Sequence, residues 1–110
     1  MRIPEMAFTV VDWSIVNTTR HPGERGEALW RSQINGDLRV RMVEYPPGYL
    51  ADHWCDRGHV LLVLEGELNC ELRDGRTFRL KPGTSYQVSN LGDAAHRSST
   101  EVGAKLFIID

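Results

Sequence analysis

Turn-forming residues divide the second half of this chain into short segments, and this feature most constrains its fold. Asp74-Gly75 is a two-residue hairpin signal, because both residues can adopt positive φ. The stretches "KPG" at 81–83 and "NLGD" at 90–93 mark two further turns. Short apolar or alternating segments between closely spaced turns are typical of an all-β sandwich or barrel. The sequence therefore predicts an all-β fold.

The predicted strands are either alternating or continuously apolar. Residues 38–45, "LRVRMVEY", alternate: Leu38, Val40 and Met42 share one face, and Arg39, Arg41, Val43 and Tyr45 share the other. Residues 60–66, "VLLVLEG", form a continuous apolar run that is typical of a buried strand. The remaining predicted strands are 67–72, 77–80, 85–88 and 104–110.

The N-terminal third is less regular. Residues 8–16 fit either a strand or a short helix, and Pro22, Gly23 and Gly26 predict a loop over 17–26 in which His21 is solvated. Residues 27–34 are predicted to form a strand with Trp30 packed inward. We therefore expect one domain over 1–110, with an N-terminal arm and loop over about 1–35 and a barrel core over about 36–110.

Composition excludes several partner classes. The 110 residues include 13 basic and 15 acidic residues in a mixed pattern, without the basic stripe of a nucleic-acid-binding protein. No apolar run approaches the ~20 residues that span a membrane, and the start of the chain does not resemble an export signal. The expected location is the cytoplasm, where Cys55 and Cys70 would be free thiols or ligands. Cys70 lies in an alternating strand and is predicted to be a packing residue.

The stretch "DHWCDRGH", residues 52–59, concentrates residues that can bind a metal. On an extended segment His53 and Cys55 project to the same face, and the turn at 56–58 lets His59 approach them. His96 would join them from a neighbouring strand. Imidazole and thiolate ligands suit a divalent Zn, Fe or Ni ion. The alternatives are histidines without a metal, and a free Cys55 thiol beside a three-histidine site.

Other polar residues are assigned supporting roles. Asp52 and Asp56 are either carboxylates that orient the ligand histidines or solvated turn residues. Tyr49 and Tyr86 are candidate pocket residues. Trp54 alternates with the ligands and should therefore face away from them. Four protein ligands would close a tetrahedral zinc site, whereas an octahedral iron or nickel ion would keep two open positions.

Two segments of the sequence resemble the motifs of a known family. "PPGYLADHWCDRGHVLLVLEGEL" is similar to the first motif of the cupins, with Cys55 in place of a histidine and His59 in place of a glutamate. "GRTFRLKPGTSYQVSNLGDAAHRSST" is similar to the second motif, with His96 as its ligand. Three histidines with a thiolate carry the same ligand charge as three histidines with a carboxylate.

More narrowly, Asp52-His53-Trp54-Cys55 and the ending "GAKLFIID" resemble the single-domain DHCW motif cupin fold proteins. The resemblance implies a jelly-roll β-barrel and a metal centre, but no particular reaction. Small cupins usually pair, so a homodimer is expected.

Three functions remain open at the level of sequence. The first is a metal-dependent oxygenase, isomerase or lyase acting on a small polar molecule. The second is a non-catalytic module that binds a small molecule or senses oxidants through Cys55. The third is a structural zinc site.

Overall fold

The computed structural model of the protein describes residues 2–110, so residue 1 of the predicted domain lies outside the described chain. A three-residue 3-10 helix, Trp13–Ile15, precedes nine strands. The strands are β1 (Thr19–Pro22), β2 (Glu27–Asn35), β3 (Leu38–Tyr45), β4 (His59–Gly66), β5 (Leu68–Leu72), β6 (Thr77–Leu80), β7 (Ser85–Val88), β8 (His96–Ser99) and β9 (Ala104–Ile109). Within residues 2–110, no helix has the length and apolar character needed to cross a membrane.

Two antiparallel sheets form the fold. The larger sheet has the order β1-β2-β3-β9-β4-β7, and the smaller one has the order β6-β5-β8. Their inner faces share one apolar core, because β5 and β6 contribute to the same cluster of buried side chains as β3, β4 and β9. The largest fully buried side chains of this core are Val43, Leu61, Val63, Leu68 and Leu106. The predicted all-β jelly-roll fold is confirmed.

The expected closed barrel is wrong, because the strands form two separate sheets. On one side, the segment between β3 and β4 pairs with β8 through isolated backbone bridges. These bridges join Leu50 to Ser99 and Cys55 to His96. On the other side β6 and β7 are edge strands of different sheets. The turn that connects them is instead bonded to β4, where Val63 exchanges backbone hydrogen bonds with Gly83 and Thr84. The gap between β6 and β7 therefore stays open.

The N-terminal third is more ordered than its sequence indicates. The loop expected over 17–26 contains β1, which pairs with β2 in the large sheet, so sheet structure begins at residue 19. His21 is not simply solvated, because its ring stacks on Trp30 with centroids 3.6 Å apart. The predicted strand at 27–34 is confirmed as β2, and Trp30 packs against the core.

The alternating strand β3 turns its basic face inward. Val43 and Arg41 are buried, with Arg41 opposite Ser32 on β2 and Ile108 on β9. Two residues earlier, Arg39 pairs with Asp110, which follows β9. Since β4 flanks β9 on its other side, this register places His59, Asp110 and Arg39 next to one another on the inner face.

Candidate metal centre

Cys55, His59 and His96 bring their side-chain donor atoms within 4.8 Å of one another. Cys55 and His96 are fixed by a pair of backbone hydrogen bonds, of 2.7 Å from the Cys55 amide and 2.8 Å from the His96 amide. His59 is the first residue of β4. The cluster therefore joins the segment between β3 and β4, which carries Cys55, to the small sheet through His96 and to the large sheet through His59.

The turn at 56–58 determines how His59 meets Cys55. The Gly58 amide donates to Oδ1 of Asn90 at 2.6 Å, and the Leu91 amide donates to the Asp56 carbonyl at 2.9 Å. A Cβ atom on Gly58 would lie only 2.7–2.8 Å from backbone atoms of residues 88–90. Glycine at position 58 thus permits the close packing of this turn against residues 88–91.

The Asp110 carboxylate orients His59. Its Oδ2 atom lies 2.8 Å from Nδ1 of His59, and since an ionised carboxylate only accepts hydrogen bonds, Nδ1 carries the donated proton. Nε2 of His59 then faces Cys55, with 3.7 Å between Nε2 and Sγ. A carboxylate holding the outer nitrogen of a ligand histidine is a common support of metal sites.

Asp110 is also the shared partner of two arginines. Its side chain is 1% exposed, and it accepts two hydrogen bonds from Arg39, at 2.8 and 2.9 Å, and one from Arg41 at 3.0 Å. Burial alone would raise the pKa of Asp110, but the bonds from His59 and Arg39 and the charge of Arg41 lower it well below its usual range. The carboxylate is therefore ionised throughout the physiological range.

The cysteine of the cluster is a thiolate. Hydrogen bonds from His59 and His96 lower the pKa of Cys55 to about 5, against the opposing effect of burial. Burial lowers the pKa of His59, but the hydrogen bonds to Asp110 and Cys55 outweigh this and raise it. A thiolate beside two imidazoles is the donor chemistry of zinc and of other first-row divalent ions.

The structure brings together three of the four predicted ligands. The fourth, His53, has a 70% exposed side chain whose Nδ1 atom lies 2.7 Å from the Asp52 carboxylate. Asp52 thus contacts His53 and not the three clustered donors, although His53 does border the same cavity. Asp56 is exposed, and its backbone carbonyl holds Leu91.

The cluster opens into a cavity of about 120 Å³ between the sheets. Tyr49 lines this cavity and stacks on Tyr45, with ring centroids 4.1 Å apart. Tyr86 also lines it and meets His96 edge to face at 5.7 Å. Trp54 does not line the cavity and instead packs against the guanidinium of Arg97, 4.7 Å from the ring centroid.

The main contributors that sequence reasoning missed are Asp110 and Arg41. Asp110 ends the predicted strand 104–110, where an acidic residue usually indicates a solvated strand end. The alternation in β3 showed that Arg39 and Arg41 share a face, but not that this face points inward. The sequence did contain a signal for this charged group. It consists of two arginines that alternate with apolar residues in one strand and of one acidic residue at the end of another strand.

Comparison with solved structures identifies the fold. The polyketide cyclase RemF from Streptomyces resistomycificus superimposes with a TM-score of 0.75 at 23% identity, over 94% of this chain and 78% of the cyclase. A cupin-like protein from Thermotoga maritima superimposes with a TM-score of 0.68 at 17% identity, over 86% and 77% of the two chains. This chain has the cupin fold.

A third cupin-fold neighbour is Fe(II)-HppE, crystallised with an alternative substrate. It superimposes with a TM-score of 0.72 at 13% identity, over 94% of this chain and 60% of that one. No protein-family sequence model matches this chain, and no curated protein sequence matches it. At these identities the structural likeness shows the fold alone.

Proposed function

We propose that this cupin binds one divalent transition metal ion through Cys55, His59 and His96 and acts as a metal-dependent enzyme on a small polar molecule. The observation that carries the proposal is the convergence of these three donor atoms within 4.8 Å at the wall of an internal cavity. One thiolate and two neutral imidazoles would offset half of the charge of a divalent ion.

Three protein ligands favour an open site. A tetrahedral zinc ion would keep one position for another ligand, and an octahedral iron or nickel ion would keep three. When bound, the ion would supply Lewis-acid activation of a substrate oxygen. Among the fold neighbours, RemF is a polyketide cyclase and HppE is described with Fe(II) and a substrate, so related architectures include enzymes.

The surrounding residues support the cluster in this role. Asp110 fixes the ring of His59, and the backbone bridge fixes Cys55 relative to His96. Leu61 and Ile108 line the cavity and are nearly fully buried, so they form an apolar part of its wall beside the donors. A shaped cavity beside preorganised donors is part of what metal-assisted chemistry requires of its protein.

A second candidate function is oxidant sensing by Cys55. Its thiolate is half-buried and not fully enclosed, and such cysteines are the ones that oxidants modify. The structural zinc alternative has less support, because His53, the predicted fourth ligand, is 70% exposed and lies outside the cluster of three donors.

We infer that the chain forms a homodimer in the cytoplasm. Apolar side chains of the N-terminal arm are strongly exposed, with Phe8 at 98% and Val10 at 82%, and a second copy would cover them. Two free cysteines, one of which is the proposed metal-binding thiolate, suit a reducing compartment. Sedimentation equilibrium at micromolar concentration tests the dimer, and a purely monomeric mass would contradict it.

Cobalt substitution tests the proposed metal site. We expect one Co²⁺ to bind per metal-free chain with a thiolate-to-cobalt charge-transfer band, and Cys55→Ser to abolish that band. Cys70→Ala is the matched control, because Cys70 is buried in the core and should leave the band unchanged. Failure to bind cobalt, or a band that survives in Cys55→Ser, would refute the proposed ligand set.

A further inference from the structure

We propose that the molecule bound in the cavity is a small carboxylate held by the guanidinium of Arg41. This inference deepens the proposed function, since it names the class of molecule that would meet the metal centre. It rests on the position, partners and charge of Arg41, which lines the same cavity as Cys55, His59 and His96.

Arg41 is a buried cation with unused hydrogen-bonding capacity. It is 4% exposed on the inner face of β3, and its Nη2 atom donates to Oδ2 of Asp110 at 3.0 Å. Its Nε atom is buried and has no hydrogen-bond partner among residues 2–110. Because a buried donor without a partner costs about 1–3 kcal/mol, an acceptor in the cavity would stabilise this arrangement.

The charges around Arg41 leave room for an anion. Arg39 already binds both carboxylate oxygens of Asp110, and His59 bonds one of them as well. One carboxylate is therefore shared by two guanidiniums and an imidazole. Two guanidinium charges thus meet one carboxylate charge, which favours a second anion beside Arg41.

Trp30 fixes the orientation of the guanidinium. The Cζ atom of the Arg41 guanidinium lies 4.3 Å from the Trp30 ring centroid, so the indole covers one face of the planar group. The edges of the guanidinium remain as its hydrogen-bonding surface, and a carboxylate matches that edge with two parallel hydrogen bonds.

Arg41 differs from the other arginines that carry an unpartnered donor. Three buried Nε atoms lack partners in the described chain, those of Arg31, Arg41 and Arg97. Arg41 and Arg97 line the cavity from different sheets, whereas Arg31 does not line it. The Arg97 guanidinium packs against Trp54, which lies outside the cavity, so the unpartnered donor of Arg41 is the one placed to meet a ligand. Arg31 supplies a natural control.

The cavity restricts the size of the carboxylate. Its volume of about 120 Å³ is well below the roughly 300–1,000 Å³ of pockets for drug-sized ligands. Its lining combines apolar Leu61 and Ile108 with Tyr45 and Tyr49. A short-chain carboxylic acid of a few carbon atoms fits both this volume and this lining.

Acetate, with acetamide as its neutral analogue, is the probe that tests the inference. The Arg Nε–H signals of ¹⁵N-labelled protein are followed by NMR during titration, with and without Co²⁺. We expect acetate to shift the Arg41 signal saturably and acetamide to leave it unchanged. Arg41→Met should weaken acetate binding about tenfold to a hundredfold, as expected for losing a charge-assisted pair, and Arg31→Met should change it less than about twofold.

Acetate that binds Arg41→Met as tightly as wild type, or that leaves the Arg41 Nε–H signal of wild type unchanged, would overturn the inference. The wild-type signal decides the question even if Arg41→Met does not fold, and Arg41→Lys then provides a second variant that retains the charge. Cobalt binding is measured on the same samples. Acetate binding without cobalt binding would refute the metal centre alone, and cobalt binding without acetate binding would refute the carboxylate site alone.

Discussion

The Asp110 carboxylate accepts a hydrogen bond from Nδ1 of His59 over 2.8 Å, and the opposite nitrogen of the same ring faces Sγ of Cys55 at 3.7 Å. This relationship arises from strand register, because β4 and β3 flank β9 and place His59 and Arg39 on either side of Asp110. The large sheet thereby sets the tautomer and orientation of one proposed ligand.

Asp110→Asn should weaken metal binding by about tenfold to a hundredfold, the usual effect of losing a carboxylate behind a ligand histidine. The amide keeps the shape but removes the charge that fixes the His59 tautomer. Competition with a chromophoric chelator measures the affinity. Asp93→Asn is the control, because Asp93 is exposed and pairs with Arg76. Equal metal affinities of the two variants would show that Asp110 does not support metal binding.

Cys55 of the metal-free protein should react with iodoacetamide at a rate that is nearly constant between about pH 6 and 8. Its pKa is lowered to about 5, so the thiolate is already fully formed in this range, whereas the rate of a free cysteine with a pKa of about 8.5 rises nearly tenfold per pH unit. Mass spectrometry of the labelled protein follows the reaction.

Cys70 serves as the internal comparison in that experiment. It is 4% exposed, and burial raises its pKa to about 11, so it should stay unlabelled over the same pH range. Bound metal should protect Cys55 from the reagent. A Cys55 rate that climbs steadily up to pH 8 would contradict the lowered pKa.

Gly58→Ala should destabilise the fold by about 1–3 kcal/mol and weaken metal binding at the same time. The added Cβ would meet backbone atoms of residues 88–90 at 2.7–2.8 Å, so the turn that presents His59 must move. Urea denaturation gives the change in the free energy of unfolding.

Gly36→Asn is the matched control, because nothing lies within 4 Å of a Cβ at Gly36 and its φ of 55° lies in the left-handed region that asparagine tolerates. We expect this control variant to unfold close to the wild-type urea concentration. A Gly58→Ala protein with wild-type stability would show that the close packing of the turn is unnecessary.

The sequence predicted most of the strand pattern and the three clustered donors, because alternation, turn residues and ligand spacing are local signals. Strand β8, "HRSS", has no apolar pattern, so His96 was expected on a strand whose extent was not predicted. Strand β1 contains Pro22 and was not predicted. Asp110 and Arg41 were missed as contributors for a different reason. Their roles depend on which strands become neighbours and on which face of β3 points inward, and both are properties of the assembled sheet.

The predicted ligand His53 illustrates the same limit. Its spacing from Cys55 is right for a shared face on an extended strand, but residues 52–54 form no strand in the structure. The histidine is instead bonded to the adjacent Asp52 and is largely exposed. Spacing alone predicted that His53 and Cys55 share a face, whereas the local backbone determines where the His53 side chain points.

The metal content of protein purified without added metal tests the three-donor centre directly, when it is measured for the wild type and for single-residue variants. The three-donor centre predicts about one divalent transition metal ion per wild-type chain and per His53→Ala chain, and little or none in His59→Ala, His96→Ala or Cys55→Ser. Wild-type protein without a stoichiometric metal would contradict the centre. A His53→Ala protein that loses its metal as fully as His59→Ala would contradict the three-residue ligand set.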